Sequence, residues 1–225
     1  MSNEDEKRLA AHASLKFVRD GNVVGLGSGS TADYFIRQLG ELVRGGLKVV
    51  GIPASFRSRD IAAESGVPLT TLDAYPEIDI TIDGADEIDP GLALIKGGGG
   101  ALLMEKIIAS VSKKFVVIAD HSKQVATLGH APLPIEVIPQ AQAVLAKKFT
   151  AMGALVQVRQ YTFGNPFVTE EGHQILDCLF GEIKDPQALG HELDSMPGVV
   201  EHGLFVGMAD VVLVAKGTEV TELRR

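Results

Sequence analysis

The 225-residue chain contains one cysteine, Cys178, so no intramolecular disulfide framework can hold it together. It also lacks a basic excess. Its 21 Lys and Arg stand against 29 Asp and Glu, a formal charge of -8, which excludes a basic field for nucleic acid or an anionic membrane. Any phosphate it binds has to be held locally. Apolar runs such as residues 115–119 and 211–215 are about five residues long, against the roughly 20 that a membrane-spanning helix needs, so no membrane segment is expected. The polar opening MSNEDEKR has no apolar signal core, and a cytoplasmic protein is the expectation. There is no internal repeat, low-complexity stretch or charged tail, and the histidines show no metal-ligand spacing.

What the chain does have is a 45% hydrophobic composition, enough for a real core, and one unusual stretch. Residues 83–105 read DGADEIDPGLALIKGGGGALLME. They hold clustered carboxylates (Asp83, Asp86), a lysine ending an apolar run (Lys96), four consecutive glycines, and Glu105. Four glycines cost backbone entropy and leave nothing to pack, so they point to a place where backbone comes close to a ligand.

The surrounding pattern predicts an α/β fold. Leu9, Ala13, Phe17 and Val18 lie at helical spacing over 4–19. Residues 23–26 read as a strand, and Gly27, Ser28, Gly29, Ser30 and Thr31 turn it into a helix carrying Phe35, Ile36, Leu39 and Leu42. Strands are expected at 48–52, 78–82, 92–95 and 115–119, and helices at 55–65 and 101–111. This alternation predicts a Rossmann-like, largely parallel sheet with helices on both faces, built from residues 1–130 and 207–225. Ligands bind such sheets at the carboxyl ends of the strands, where the Ser28 turn, Asp83, Lys96 and Lys123 are expected to lie. Prolines near 131–134 mark a crossing into a smaller module, 131–206. Its strand/helix/strand/strand/helix/strand order predicts a ferredoxin-like α+β unit flanking the cleft.

The 25–31 segment is not a dinucleotide fingerprint: Ser30 stands at its third motif position, and Gly51-Ile52-Pro53 stands where an acidic residue would end the next strand. A Walker loop is excluded by the missing lysine. The remaining readings are a phosphate-binding helix N-terminus or a tight turn in which Ser30 or Thr31 caps the helix. Asp83, Asp86, Glu87 and Asp89 read as a solvated acidic loop, a metal cluster without the calcium-loop pattern, or carboxylates facing a cleft. Lys96 could snorkel from a strand end, but its position before Gly97 to Gly100, whose successive N–H groups offer a nest for negative charge, argues otherwise. Glu105, expected in the second turn of its helix, is either half of a surface pair with Lys106 or a base whose enolate product Lys96 and the glycine N–H groups stabilise. Cys178 reads as a packed residue rather than a nucleophile.

The blocks GLGSGSTA (25–32), DGADEID (83–89), KGGGGALLMEKI (96–107), ADHSKQV (119–125), PLPIEVIP (132–139) and PGVVEHGLF (197–205) closely resemble the A-type ribose-5-phosphate isomerases. They span nearly the whole chain in order. The resemblance implies interconversion of D-ribose 5-phosphate and D-ribulose 5-phosphate in the non-oxidative pentose phosphate pathway. It implies no metal or organic cofactor, and a homodimer or a dimer of dimers. By the same resemblance Glu105 is the proton-transfer base, Lys96 and Asp83 hold sugar oxygens and developing charge, and Asp86 is a further catalytic carboxylate. Ser28, Gly29, Ser30, Thr31, Gly84, Ala85, Gly97, Gly98, Gly99 and Lys123 are implied to contact the substrate. One departure is Met104, where many relatives carry Arg beside the catalytic Glu.

Overall fold

The computed structural model describes residues 2–162 and 164–225. Helix α1 (Asn3–Ser14) opens on a reciprocal capping box: the Ser2 hydroxyl accepts from the Asp5 N–H, and the Asp5 carboxylate accepts from the Ser2 N–H. The helix expected over 4–19 therefore starts one residue earlier, and it ends at Ser14, closing in a 3-10 turn, Leu15–Phe17. Next come β1 (Val23–Leu26), α2 (Ser30–Arg44), β2 (Val50–Pro53), α3 (Phe56–Ser65) and β3 (Ile80–Asp83). Two very short strands, β4 (Glu87–Ile88) and β5 (Leu94–Ile95), precede α4 (Leu102–Ser110), β6 (Phe115–Asp120) and a 3-10 turn, His121–Lys123. The chain continues through β7 (Leu133–Val137), α5 (Gln142–Ala151), β8 (Leu155–Val158), β9 (Gln174–Leu179), α6 (Pro186–Asp194), β10 (Val199–His202), β11 (Leu204–Phe205), β12 (Val211–Lys216) and β13 (Glu219–Arg224).

These elements form two compact units. The first comprises Met1–Ala85, Met104–Lys123 and Met208–Arg225. Its six-stranded sheet runs β13-β12-β6-β3-β1-β2, parallel throughout except for β13. Alternate strand residues face opposite sides, as a period of two requires. Val24, Leu26, Ile80, Ile82, Val116 and Ile118 pack with Ala10, Phe35, Ile36, Leu39 and Ile61 from α1, α2 and α3. Val23, Ile52 and Ile78 pack on the other face with Ile108 of α4. Each fully buried Phe, Ile or Leu stabilises this unit by roughly 1.5–3 kcal/mol. Leu42, expected on the apolar stripe of α2, is 41% exposed. The stripe instead runs from Phe35 and Leu39 to Val43, at i+4 steps.

The second unit comprises Asp86–Leu103 and Gln124–Gly207. An antiparallel sheet ordered β10-β7-β9-β8 shares a core with α5 and α6, in which Ile135, Val137, Leu176 and Cys178 meet Leu145, Phe149 and Leu193. The expected order of elements, strand/helix/strand/strand/helix/strand, is present as β7, α5, β8, β9, α6 and β10. A further three-stranded antiparallel sheet, β11-β5-β4, corrects one expectation. The strand before Lys96 belongs to this small sheet rather than to the parallel one. Two-residue strands are too short to show a period, so pairing alone defines them.

Candidate active site

In the first unit, the turn after β1 is built around Asp83, the last residue of β3. Asp83 is 1% exposed. Its Oδ1 accepts the N–H groups of Ser28 at 2.9 Å and Gly84 at 2.7 Å. Gly27 lies so close that a Cβ there would sit 2.1 Å from the same oxygen, and only glycine permits that approach. The Ser28 hydroxyl reaches the Ser55 hydroxyl at 3.0 Å, and Ser55 in turn caps α3 by accepting from the Ser58 N–H. The turn is thus tied to β3 and to the segment after β2.

The cap of α2 is neither Ser30 nor Thr31. It is Gly29, at φ 102°, with no side-chain cap bond. Ser30 is the first helical residue and is exposed, while Thr31 is buried, with Gly84 alongside. A 15-residue helix that opens without a side-chain cap presents its first-turn N–H groups, and its positive dipole end, to whatever anion approaches. Ala85 follows Gly84 and is half-buried.

Glu105 lies in the first turn of α4, earlier than expected because the helix starts at Leu102 rather than at Ala101. It is 4% exposed. Ile108, three residues on and therefore on the same helical face, packs so tightly on β1 that a Cβ at Gly25 would lie 2.6 Å from it. Since β6 follows α4 and runs parallel to β3, α4 must run back against the strands. Its first turn therefore lies at the carboxyl edge of the sheet, the edge that also carries Asp83 and the Ser28 turn. Lys123 reaches this edge through the turn after β6. There Asp120 Oδ1 accepts from the Ser122 N–H at 3.0 Å and from the Ser122 hydroxyl. The turn is anchored further by Glu6 of α1, whose carboxylate lies 2.6 Å from His121 Nδ1 and accepts the Gly217 N–H at 2.7 Å. These bonds hold the Glu6 carboxyl well below its ordinary value, at about 2, with the His121 bond the largest cause.

The second unit carries Asp86, Lys96, Gly97, Gly98 and Gly99. Its carboxylates divide by role. Glu87 is buried and accepts the N–H groups of Gly129 and Ala131, and Asp89 Oδ1 accepts the Ala93 N–H at 2.8 Å, so both brace loops. Asp86 instead meets the glycine run, its Oδ2 accepting the Gly98 N–H at 2.8 Å. Lys96 is 2% exposed, far from the snorkelling alternative. Its N–H donates to the Gly203 carbonyl at 2.9 Å, and its ammonium lies 5.4 Å from the Phe205 ring centroid, within cation–π range. Gly97 adopts φ 97°, while Gly98 and Gly99 are exposed.

Sequence reasoning missed one residue here. Arg159, just past β8, donates to the carbonyls of Gly97 and Gly98 at 3.0 and 3.2 Å and grips Asp177 of β9 with two bonds, 2.9 and 2.5 Å. No local motif flags it, because its glycine partners lie about 60 residues away. Cys178 is fully buried in the core of this unit, as expected. Burial, with a smaller contribution from Asp177, pushes its thiol up to about 12.

Comparison with known proteins places this geometry in a family. The family model for ribose 5-phosphate isomerase A (phosphoriboisomerase A) matches residues 50–219. The ribose-5-phosphate isomerase A of Parvibaculum lavamentivorans is 49% identical over 230 residues, covering 99% of this chain and 100% of the relative. That of Nitrobacter hamburgensis is 53% identical over 226 residues, covering 97% of each. Among solved structures, the ribose 5-phosphate isomerase A of Methanocaldococcus jannaschii is 43% identical with a TM-score of 0.95, and a D-ribose-5-phosphate isomerase in complex with phospho-erythronic acid is 42% identical with a TM-score of 0.97. Both matches cover 100% of either chain. With residues 50–219 matched by the family model and relatives about half identical along the whole length, the chain belongs to the ribose 5-phosphate isomerase A family.

Proposed function

We propose that Glu105 is the base with which this chain, as a member of its family, interconverts D-ribose 5-phosphate and D-ribulose 5-phosphate. The observation that carries the assignment is a carboxylate only 4% exposed, in the first turn of a helix that begins just after the glycine run. On the open-chain aldose, Glu105 takes the proton from C2. The C–H electron pair becomes the C1–C2 double bond, and the carbonyl electrons move onto O1, giving an enediolate. Return of the proton to C1, with transfer of the O2 proton, gives the ketose.

The first unit supplies Glu105, the uncapped N-terminus of α2 with Ser28, Gly29, Ser30 and Thr31 for the phosphate, and Lys123 as a further cation. Asp83 fixes that turn and, with Gly84 and Ala85, lines it. Lys96 and the Gly97–Gly99 amides, in the second unit, are the positive charge and N–H donors that the family resemblance assigns to the enediolate oxygen. Asp86 holds the glycine run and assists ring opening. This reading needs no metal or organic cofactor. It goes with a cytoplasmic enzyme of the non-oxidative pentose phosphate pathway, active as a homodimer or a dimer of dimers. Family resemblance supports the pathway and the oligomeric state, and the polar opening of the sequence supports the cytoplasm.

The test compares the chain and Glu105→Gln on ribose 5-phosphate, in the presence of a chelator. Turnover is expected for the parent and a loss of at least about a thousandfold in kcat for the variant, within the range for removal of an acid–base group together with its alignment, at little change in binding. Binding without turnover by the parent would make it a sugar-phosphate sensor instead.

A further inference from the structure

We infer that Arg159 is a positioning residue for the glycine run, setting the direction of the Gly99 N–H through the backbone. Peptide geometry supports this placement, and its catalytic consequence rests on the function proposed above. In a trans peptide the C=O and the following N–H point in opposite directions, and the described chain has no cis bond. The Gly97 carbonyl accepts from Arg159 Nη1 at 3.0 Å, so the Gly98 N–H points the other way, where it meets Asp86 Oδ2 at 2.8 Å. The Gly98 carbonyl accepts from the same nitrogen at 3.2 Å. By the same rule the Gly99 N–H is turned away from the guanidinium. Gly99 is exposed, and a Cβ placed on it meets nothing within 4 Å. Its N–H therefore points away from Arg159 on an exposed residue, in the orientation an anion-binding nest needs.

The Gly100 N–H donates to the Gly97 carbonyl at 2.9 Å and closes the run into a turn, but that bond survives a flip of the central Gly98–Gly99 peptide, which no side chain resists, so the direction of that peptide is selected from outside the run. Arg159 is suited to do so because it is itself fixed. Its Nε and Nη2 hold both oxygens of Asp177 at 2.9 and 2.5 Å, leaving Nη1 for the two carbonyls. Its guanidinium also lies 5.8 Å from the Phe167 ring centroid, and that ring closes on Gly100, where a Cβ would lie 2.6 Å from it. Lysine has neither the fork nor the planar face and would not reproduce this.

The experiment has two arms. In the first, Arg159→Ala and Arg159→Lys are assayed on ribose 5-phosphate. Both are expected to lose about 10- to 100-fold in kcat with KM within about twofold, the pattern for weakening a donor that acts mainly in the transition state. Added guanidinium should restore part of the loss in Arg159→Ala only. A kcat within twofold of the parent, or a loss confined to KM, overturns the inference. In the second arm the Gly99 amide resonance is followed in Glu105→Gln, which does not turn over, as ribose 5-phosphate is added. It should shift on saturation, and should fail to shift when Arg159→Lys is combined with Glu105→Gln. A Gly99 amide indifferent to substrate in Glu105→Gln alone overturns the inference even if Arg159 variants fold poorly. A parent that does not isomerise ribose 5-phosphate would instead sink the functional reading, independently of either arm.

Discussion

Two residues show how much single side-chain atoms decide in this protein. Gly27 has no room to grow, because the Asp83 carboxylate occupies the space a Cβ would need, and that carboxylate is itself tied to the Ser28 and Gly84 N–H groups. It cannot swing aside without giving up both bonds. Gly27→Ala is therefore expected to destabilise the chain by about 1–3 kcal/mol, the usual cost of forcing a methyl into a packed site, and to lower kcat/KM by displacing the turn. Urea unfolding and steady-state assay check this, and an unchanged midpoint would contradict the close approach. Cys178 is the opposite case, a reactive group kept inert. With burial holding its thiol near 12, almost no thiolate exists at pH 8, and a water-soluble thiol reagent should leave the native protein unlabelled while reacting fully in urea. Rapid stoichiometric labelling of native protein would show that Cys178 is accessible.

At the scale of elements, α1 does more than cover the sheet. Through Glu6 it ties together the turn that carries Lys123 and the β12–β13 turn at Gly217. Because the folded carboxyl titrates at about 2 against an ordinary 4.5, the stabilisation is complete above about pH 4.5 and is lost as pH falls through about 2. Glu6→Gln should be less stable than the parent at pH 7, with the gap narrowing as pH falls through this window. Urea midpoints at pH 7, 4.5 and 3 measure it, and a gap independent of pH would contradict a Glu6 carboxylate held ionised by these hydrogen bonds. The same scale shows what could be read in advance. The run from β1 through the glycine turn into α2 was legible because apolar strand, turn residues and helical stripe follow one another locally. The strands β4, β5 and β11 were not, since two residues carry no period. Glu87 and Asp86 look alike in DGADEID, yet one braces Gly129 and the other meets Gly98. Arg159 was invisible for the same reason: its role is defined by partners distant in sequence.

For the whole molecule, the stretch from Asp83 to Glu105 begins in the first unit, passes into the second at Asp86 and returns at Met104. Each unit can be described by its own core and its own hydrogen bonds, and each carries part of the residue set that the family resemblance assigns to one reaction. The first unit holds the uncapped N-terminus of α2 and Glu105 at the edge of a parallel sheet, and the second holds a buried lysine and a braced glycine run. Whether Glu105 moves the proton is read from deuterium incorporation from heavy water at C2 of ribose 5-phosphate, comparing the parent with Glu105→Gln at saturating substrate. Exchange is expected with the parent and none above background with Glu105→Gln, although the variant still binds the sugar phosphate. Undiminished exchange in the variant would show that another group moves the proton.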